Sequence, residues 1–387
     1  AYSGSTEATI GTGANIFKDL VDSQIVQMNR DFADLSGSVY GVSEDMGIRF
    51  VPAKVSPTGT LLCEPGIERI NWESRAGWLD PTTLPTLNSV LNHYNNVVKP
   101  QSIWDPYRYL NIWLGEFSSS GLLGFASFPG NSTLAGLDNL ETDLTAGVVL
   151  LTSSVGSIYN PGAAFPYDMG RTATHELGHF FGLRHIWGDG TCATDYCADT
   201  PPQDDATSGC PGTGALNNCT PSGPKMFENY MDYSDDTCMN IFTNDQKTRI
   251  TTVMNNSPRR STLKTSVKDV AIALFANDAE IKIENSCGGA TPTCAVPNPV
   301  LPNKIISLYN RGTATLTSAT ISYNMNGGTN YTNNWTGSLA PNAFAYVTLT
   351  NTAVNGTLNA SITNVNGGAD ARATNNTATK TFGSGTS

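Results

Sequence analysis

Histidine and charged residues are scarce in this chain. Only 4 of its 387 residues are histidine, and Asp, Glu, Lys and Arg together make up 14%. The basic residues are the scarcer group, with 22 Lys and Arg against 33 Asp and Glu, which gives a formal net charge of −11. Because binding to phosphate groups requires a basic surface, we expect no nucleic-acid partner.

Long apolar segments are also missing. The sequence has no run of about 18 apolar residues, which a membrane-spanning helix requires, and its N-terminus has no basic and then apolar leader. We therefore expect no membrane span. The chain begins at Ala1 without a methionine, which is typical of a processed mature form and equally of a trimmed chain. We expect a monomer.

The chain has eight cysteines but no CxxC pair. An even set without the spacing of a zinc ribbon or a redox motif favours disulfides, which persist in oxidising compartments. This pattern predicts a secreted, extracellular protein.

Helices are predicted in the front part of the chain by the spacing of apolar residues. Residues 16–35 and 84–98 place apolar side chains at intervals of three and four, the pattern of a helix that buries one face. Thr243 and Gln246 form the sequence signature of a capping box at the start of another helix. Residues 255–260, "NNSPRR", predict the end of that helix and a linker.

Short β-type runs accompany these helices at 47–55, 109–117 and 147–155 and predict a sheet. Toward the C-terminus the composition changes to Thr, Asn, Ser and Gly between β-rich runs, without an amphipathic helix. Six or seven strands in about 120 residues are typical of an antiparallel sandwich. The fold class is therefore α+β, with a front domain over 1–260 and an all-β, Ig-like sandwich domain over 261–387.

The stretch "THELGHFFGLRH" contains three of the four histidines. His175 and His179 are four residues apart, so on a helix their imidazoles project from one face and can share a metal ion. Gly182 comes where the helix should end, and a left-handed glycine there would turn the chain and bring His185 to the same ion. Three nitrogen ligands leave one position of a tetrahedral Zn²⁺ for water, which distinguishes a catalytic site from a closed structural one.

Glu176 lies beside the first histidine and is placed to contact a water on the metal rather than the metal itself. This predicts that Glu176 activates the zinc-bound water and passes its proton to the leaving amine, so that a peptide bond is hydrolysed. A structural zinc site is the competing interpretation. It would need a fourth protein ligand and would leave Glu176 without a role.

The pattern HExxHxxGxxH, together with "ENYMDY" further along the chain, resembles the metzincin metallopeptidases. The resemblance implies a metzincin-type catalytic domain, with a twisted mixed sheet plus helices, an active-site helix and a Met-turn. In that turn Met231 would form an apolar floor beneath the metal. Tyr233 would ligate or flank the zinc at rest and hydrogen-bond the oxyanion of the transition state.

Within the metzincins the sequence is most similar to the pappalysin family, in its bacterial secreted branch. The resembling stretches cover about residues 16–250 and include "QIVQMNRDF", "NIWLGEF", "GVVLLTSSVGS", "CADTPPQ" and "NYMDYSDDTCMNIFT". The run "GVVLLTSSV" resembles the edge strand along which the substrate backbone lies extended. Arginine-preferring relatives carry an aspartate where this chain has Thr237, and Asp235 and Asp236 lie nearby, so a preference for basic residues stays open.

Five aspartates fall between residues 189 and 205, in a loop rich in Gly, Pro and Cys. Carboxylate oxygens on irregular backbone suit Ca²⁺. The resemblance implies a calcium ion near "CADTPP", with Asp199 and Thr200 as the first candidate ligands and Asp189 as a further one. The alternative interpretation is a solvated acidic loop.

The resemblance also implies how the cysteines pair. It couples Cys197 with Cys219 and Cys210 with Cys238, so that the acidic loop is tied to the Met-turn segment. Cys287 with Cys294 would close a short loop in the sandwich, and Cys63 and Cys192 remain as the last pair.

Together these observations predict a secreted zinc-dependent endopeptidase that acts on proteins or peptides. Two alternatives stay open. The chain could be an adhesin-like binding protein with an inactive or structural zinc site, or the sandwich could carry the main role by binding polysaccharide or a cell surface.

Overall fold

The fold is described from a computed structural model, which covers residues 10–11, 13–62, 64–138, 140–212, 214–270, 275–283, 303–341 and 343–382. The chain divides into two compact units. The first comprises Ile10–Val270, and the second begins at Ala271.

The first unit contains six α-helices among its described residues. They are α1 (Lys18–Phe32), α2 (Leu87–His93), α3 (Lys99–Ser102), α4 (Arg171–Phe180), α5 (Asn244–Asn256) and α6 (Pro258–Ser261). The apolar periodicity of residues 16–35 correctly predicts α1, which buries Met28 and Phe32 in the core. The predicted helix over 84–98 is divided, because a π-helical turn over Tyr94–Val98 separates α2 from α3.

The capping box predicted for α5 is confirmed. The Thr243 hydroxyl accepts from the backbone N–H of Gln246, and the Gln246 side chain accepts from the N–H of Thr243. The linker predicted for residues 255–260 is wrong. After Asn256 the chain continues into α6, where the Arg260 guanidinium is fully buried and donates to Glu141 at 2.6 Å. That ion pair holds α6 in the first unit. Separating its partners would leave a buried charge uncompensated.

Three short strands form the sheet of the first unit: β1 (Ile112–Gly115), β2 (Gly124–Ala126) and β3 (Val148–Leu151). Their order is β1-β3-β2, with β1 parallel and β2 antiparallel to β3. Two predictions are corrected here. Residues 47–55 form no strand and make only an isolated bridge at Val55. The run "GVVLLTSSV" provides the central strand β3, whose residues are all buried, and the edge strands are β1 and β2.

The core of the first unit lies between this sheet, α1, α4 and the segment that follows residue 225. Its fully buried side chains include Phe32, Leu150, Leu177, Met231 and Phe242. Burial of each such side chain stabilises the fold by about 1.5–3 kcal/mol before entropy is counted. The helix α4, which carries the predicted metal ligands His175 and His179, thus lies in the core of the first unit.

The second unit is a β-sandwich, as the sequence predicts. Its seven described strands are β4 (Ala279–Ile283), β5 (Lys304–Asn310), β6 (Leu316–Met325), β7 (Tyr331–Leu339), β8 (Phe344–Leu349), β9 (Gly356–Val365) and β10 (Thr377–Phe382). They form an antiparallel sheet ordered β10-β9-β6-β7 and another ordered β4-β5-β8. Alternate residues of both sheets, such as Ile306, Ile321 and Leu358, are fully buried in one shared core.

Two disulfides are present among the described residues. Cys210 pairs with Cys238, as the resemblance implies, but Cys219 pairs with Cys192 and not with Cys197. Their Cα atoms are 6.0 and 5.6 Å apart, respectively, which suits a disulfide. Cys197 is a buried free thiol.

The physical reason for this correction is a turn in the chain. The Asp195 carboxylate accepts from the Cys197 N–H at 3.0 Å, and the Cys197 carbonyl accepts from the Thr200 hydroxyl at 2.9 Å. This turn holds Cys197 inside the loop, where burial raises the pKa of its thiol. The pairing proposed for Cys63 with Cys192 is therefore also wrong, and Cys63, Cys287 and Cys294 lie outside the described residues.

No helix in the described parts of the chain is both long enough and apolar enough to cross a membrane.

Candidate metal centre

The metal-binding sequence lies on α4, and all ten residues of this helix are buried. The helix ends at Phe180, and Gly182 takes the left-handed conformation with a φ of +88°. The Gly182 N–H donates to the His179 carbonyl at 2.8 Å, and the Leu183 N–H donates to the Gly178 carbonyl at 2.9 Å. This pair of bonds is a Schellman motif, and it reverses the chain so that His185 returns toward the helix.

The structure brings the three predicted histidines together. The Nε2 atom of His179 lies 3.2 Å from that of His175 and 3.1 Å from that of His185. Two nitrogens that ligate one tetrahedral Zn²⁺ at about 2.0–2.1 Å are about 3.4 Å apart. Among the described residues this is the one group of three or more His, Cys, Asp or Glu side chains placed to hold a metal ion.

The other ring nitrogen of each histidine is anchored by an acceptor. Nδ1 of His175 donates to the Tyr230 carbonyl at 2.7 Å, and Nδ1 of His179 donates to the Leu183 carbonyl at 2.8 Å. Nδ1 of His185 donates to the Asp189 carboxylate. Because these acceptors place the proton on Nδ1, the three Nε2 lone pairs face one another, and the donor set fits a zinc ion.

Burial also keeps the first two histidines neutral. It lowers the pKa of His175 to about 3 and that of His179 well below its ordinary value, and the nearby His185 acts in the same direction. A neutral imidazole is the form that ligates a metal.

Glu176 is buried beside this cluster and faces strand β2. A Cβ added at Gly124 would lie 2.9 Å from its Cγ and 3.1 Å from its Oε1. Burial raises the pKa of Glu176 to about 8, and the charge of Lys99 opposes this shift. Lys99 is itself buried and donates to the Thr145 carbonyl at 3.2 Å. A bound divalent cation would, like Lys99, lower the pKa of the Glu176 carboxyl.

Met231 packs against the helix that carries the first two histidines. It is fully buried, and its Sδ would lie 2.2 Å from a Cβ added at Gly178. Only glycine at position 178 leaves this space, so Met231 packs directly against the helix between the first two histidines. The Met231 N–H donates to the Asn229 side chain at 2.9 Å, which holds the turn.

Two aromatic rings border the cluster. The ring of Tyr233 is centred 5.6 Å from that of His175 and 4.9 Å from that of His185, and its side chain is half exposed. Trp187 stacks on His185 with centroids 4.3 Å apart and planes only 8° from parallel. Sequence reasoning missed Trp187. Its position two residues after the third histidine was the available signal.

Sequence reasoning also missed Asp31 of α1, which lies beneath the cluster. Its buried carboxylate accepts from the Tyr230 hydroxyl at 2.9 Å and the Thr174 hydroxyl at 2.7 Å, and lies 3.1 Å from Nε of Arg171. Tyr230 in turn holds His175 through its carbonyl. Gln27 and Ser36 also donate to Asp31 from nearby, but no local pattern pointed to its role, because Thr174 and Tyr230 are 143 and 199 residues away in sequence.

The aspartates of the acidic loop are engaged with protein groups. Asp189 accepts from His185 and from Arg184, and the first of these bonds lowers the pKa of the Asp189 carboxyl. Asp199 accepts from the Asp245 N–H at 2.9 Å and from the Thr243 hydroxyl, so it caps α5.

The remaining calcium candidate, Thr200, donates to Asp195 at 2.8 Å. Lys225 lies within ion-pair distance of both Asp204 and Asp205. Each of the five aspartates therefore has a protein partner.

The two carboxylates near Thr237 differ in burial, since Asp235 is half-buried and Asp236 is buried. Asp236 is buried and accepts from the backbone N–H groups of Met169 at 2.8 Å and Arg171 at 3.1 Å. Asp236 therefore holds the start of α4, whereas the Thr237 side chain is exposed.

Three converging imidazoles, a buried glutamate on the same helix and a methionine turn beneath it define the site of a metzincin metallopeptidase. The family model described as pregnancy-associated plasma protein-A, peptidase family M43, matches residues 92–255. The chain belongs to this family, the pappalysins.

The most similar solved structures include mature mirolysin of Tannerella forsythia in complex with a cleaved peptide. It is 34% identical, covers 66% of this chain and 91% of its own, and has a TM-score of 0.51. A promirolysin variant is also 34% identical and covers 65% of this chain and 79% of its own, with a TM-score of 0.51.

An extracellular metalloprotease of Arthroderma otae is 42% identical over 146 residues, which are 37% of this chain and 50% of that protein. The chain thus spans about half the length of the curated relatives it matches.

Proposed function

We propose that this protein is an extracellular, zinc-dependent endopeptidase that hydrolyses peptide bonds in proteins. The observation that carries the proposal is the convergence of three Nε2 atoms whose Nδ1 partners fix the tautomer, next to a buried glutamate. Membership of a metallopeptidase family and the extracellular metalloproteases among the relatives support it.

His175, His179 and His185 would hold the zinc ion. When bound, zinc supplies Lewis-acid chemistry, in that it lowers the pKa of a water and polarises the scissile carbonyl. Glu176 is the general base. Its carboxylate accepts a proton from the attacking water and passes it to the leaving amine, as expected for a buried carboxyl beside the reacting atoms.

Tyr233 is the proposed oxyanion donor. Its ring contacts two of the three histidines, and its hydroxyl belongs to a half-exposed side chain that can reach a substrate. A hydrogen bond from this hydroxyl to the oxygen that gains charge would stabilise the transition state more than the ground state. Met231 has no chemical role in this proposal and supports the helix from below.

The substrate backbone would lie along β2. This strand pairs with β3 on one side, and its Gly124 faces Glu176. Hydrogen bonds between the substrate main chain and β2 would place a scissile bond beside the Glu176 carboxylate for any substrate sequence. Pockets for the substrate side chains would then select among sequences. This replaces β3 as the predicted recognition strand.

Calcium at the acidic loop stays a prediction from the resemblance, with Asp199 and Thr200 as its proposed ligands. Carboxylate oxygens have several lone pairs, so the cap on α5 leaves capacity at Asp199 for an ion. Asp189 is better explained by its bond to His185.

We propose that the first unit, predicted as the domain over 1–260 and extending to Val270, carries the peptidase activity. We also propose that the Ig-like second unit, predicted over 261–387, assists binding, secretion or stability. We also propose that the protein acts as a monomer on protein or peptide substrates.

Casein hydrolysis by the full chain tests the proposal. We expect cleavage that stops when a chelator removes the metal and returns when zinc is added back. A binding protein with an inert metal site would release no peptides in either state.

A further inference from the structure

The segment from Gly182 to Asp189 decides whether the third imidazole reaches the other two. His175 and His179 lie on α4, whose backbone hydrogen bonds set their spacing. His185 lies beyond the end of that helix, so contacts from elsewhere in the fold must hold it in place.

Arg249 of α5 holds the start of this segment. Its Nε and Nη2 atoms donate to the Gly182 carbonyl at 3.2 and 3.0 Å, and Nη2 also donates to the Ala135 carbonyl at 3.3 Å. Helix α5 packs directly on the chain reversal at Gly182, because a Cβ added at Gly182 would lie 2.7 Å from Cγ2 of Val253 on that helix. Arg249 is only 6% exposed, so these bonds form away from bulk water and are correspondingly strong.

Arg184 holds the end of the segment. Its Nη2 donates to the Gly188 carbonyl at 2.8 Å and to Oδ2 of Asp189 at 3.0 Å. The other carboxylate oxygen of Asp189 accepts from Nδ1 of His185. The orientation of the third imidazole is thus linked to the position of Arg184.

Tyr196 connects the two arginines. The centroid of its ring lies 5.3 Å from the guanidinium carbon of Arg249 and 5.9 Å from that of Arg184. Contact with one aromatic ring attracts both cations and offsets their mutual repulsion. Gly136 leaves room for the ring, since a Cβ there would lie 2.1 Å from Cε2 of Tyr196.

We propose that Arg249 and Tyr196 are positioning residues for His185 and set the affinity of the site for its metal ion. This inference rests on the proposed zinc site. Both residues act through others, Arg249 through the Gly182 carbonyl and Tyr196 through Arg184. If either contact is lost, His185 samples more conformations in the metal-free protein. The entropy lost when the ion orders His185 then weakens binding of the ion.

Zinc affinity of the full chain tests the proposal, measured by competition with a chromophoric chelator. We expect Arg249→Gln and Tyr196→Ala to bind zinc about 10-fold or more weakly. Tyr196→Phe keeps the ring and should bind as the wild type does. Melting temperatures with and without zinc provide a second readout, and the rise that zinc produces should shrink in the two weakened variants.

Arg69→Gln is the matched control. Like Arg249, Arg69 donates to a backbone carbonyl, that of Ile16 at 2.9 Å, and it is partly buried and also pairs with Glu64. We expect it to lower the melting temperature equally with and without zinc and to leave zinc affinity unchanged.

Wild-type zinc affinity in Tyr196→Ala would overturn the inference, and this variant decides the matter even if Arg249→Gln does not fold, because the Tyr196 side chain is 43% exposed. A wild-type chain that binds no zinc would instead contradict the proposed function. The two failures are therefore distinguishable.

Discussion

Gly124 and Glu176 approach each other so closely that a Cβ at position 124 would lie 2.9 Å from Cγ of the glutamate. The same Cβ would lie 2.9 Å from the Val149 carbonyl oxygen, so the strand cannot move away freely. The absence of a side chain at Gly124 thus lets the proposed general base lie directly beside the proposed recognition strand.

We expect Gly124→Ala to displace the Glu176 carboxylate. Because misplacement by about 1 Å can cost 100-fold in rate, kcat should fall by about 10-fold or more while zinc content is unchanged. Steady-state kinetics on a peptide library and metal analysis check this. Gly41→Ala is the control, since a Cβ there meets nothing within 4 Å. Equal kcat in both variants would show that this approach has no catalytic consequence.

Glu176→Gln removes the proposed general base and keeps the shape of the side chain. We expect kcat/KM to fall by about 10²- to 10⁴-fold, the usual contribution of general acid–base catalysis, with zinc still bound. Hydrolysis of casein together with metal analysis measures both effects. Substantial hydrolysis by this variant would contradict the assignment of the base.

His185→Ala removes the third proposed ligand. We expect a large loss of zinc affinity, because two imidazoles do not complete the protein share of a tetrahedral catalytic site. Mass spectrometry under native conditions reports the bound metal. His93→Ala is the matched control, since His93 lies on α2 and belongs to no metal-binding group among the described residues. Unchanged metal content in His185→Ala would show that this residue is no ligand.

Asp31→Asn should strongly destabilise the fold. It leaves the buried guanidinium of Arg171 without its carboxylate, and breaking a buried ion pair costs about 3–5 kcal/mol in the free energy of unfolding. Urea denaturation followed by circular dichroism measures the change. The control is Asp22→Asn in the exposed pair with Lys18, also on α1, whose unfolding curve should match the wild type. Coinciding curves for both variants would show that the buried pair contributes little.

Asp199→Ala tests the loop in two ways. Loss of the cap on α5 should cost about 1 kcal/mol, or about 2–4 °C in the melting temperature. If Asp199 also ligates calcium, the wild-type melting temperature rises with millimolar calcium at constant zinc, and the variant lacks that rise. Wild-type scans that are identical with and without calcium would reject the ion and leave the cap as the sole role.

The parts of this site that could be predicted from the sequence are those that a short stretch specifies. The spacing of His175 and His179 on one helix face, and the left-handed glycine after that helix, follow from local geometry that tertiary structure did not alter. The capping box at Thr243 and the buried face of α1 were predictable for the same reason. Met231 was recognisable only through its resemblance to a family motif, since a lone methionine indicates no role.

Other features depended on contacts between distant parts of the chain. The strand "GVVLLTSSV" is strongly apolar, and that composition does not tell whether a strand is central or at an edge. Cys192 and Cys197 are five residues apart, so both are plausible partners for Cys219 until the turn at Asp195 places one of them inside the loop.

The sequence by itself thus determined the three clustered imidazoles, the glutamate beside them and the α+β fold class with a separate β domain, because helical periodicity and turn preferences act over a few residues. Only the tertiary structure decided that Gly124 faces Glu176, that Asp31 anchors His175 through Tyr230 and that Arg249 holds the bend before His185. The contacts of Asp31 with Tyr230 and of Arg249 with Gly182 join residues 199 and 67 positions apart, and packing, rather than any local preference, selects them.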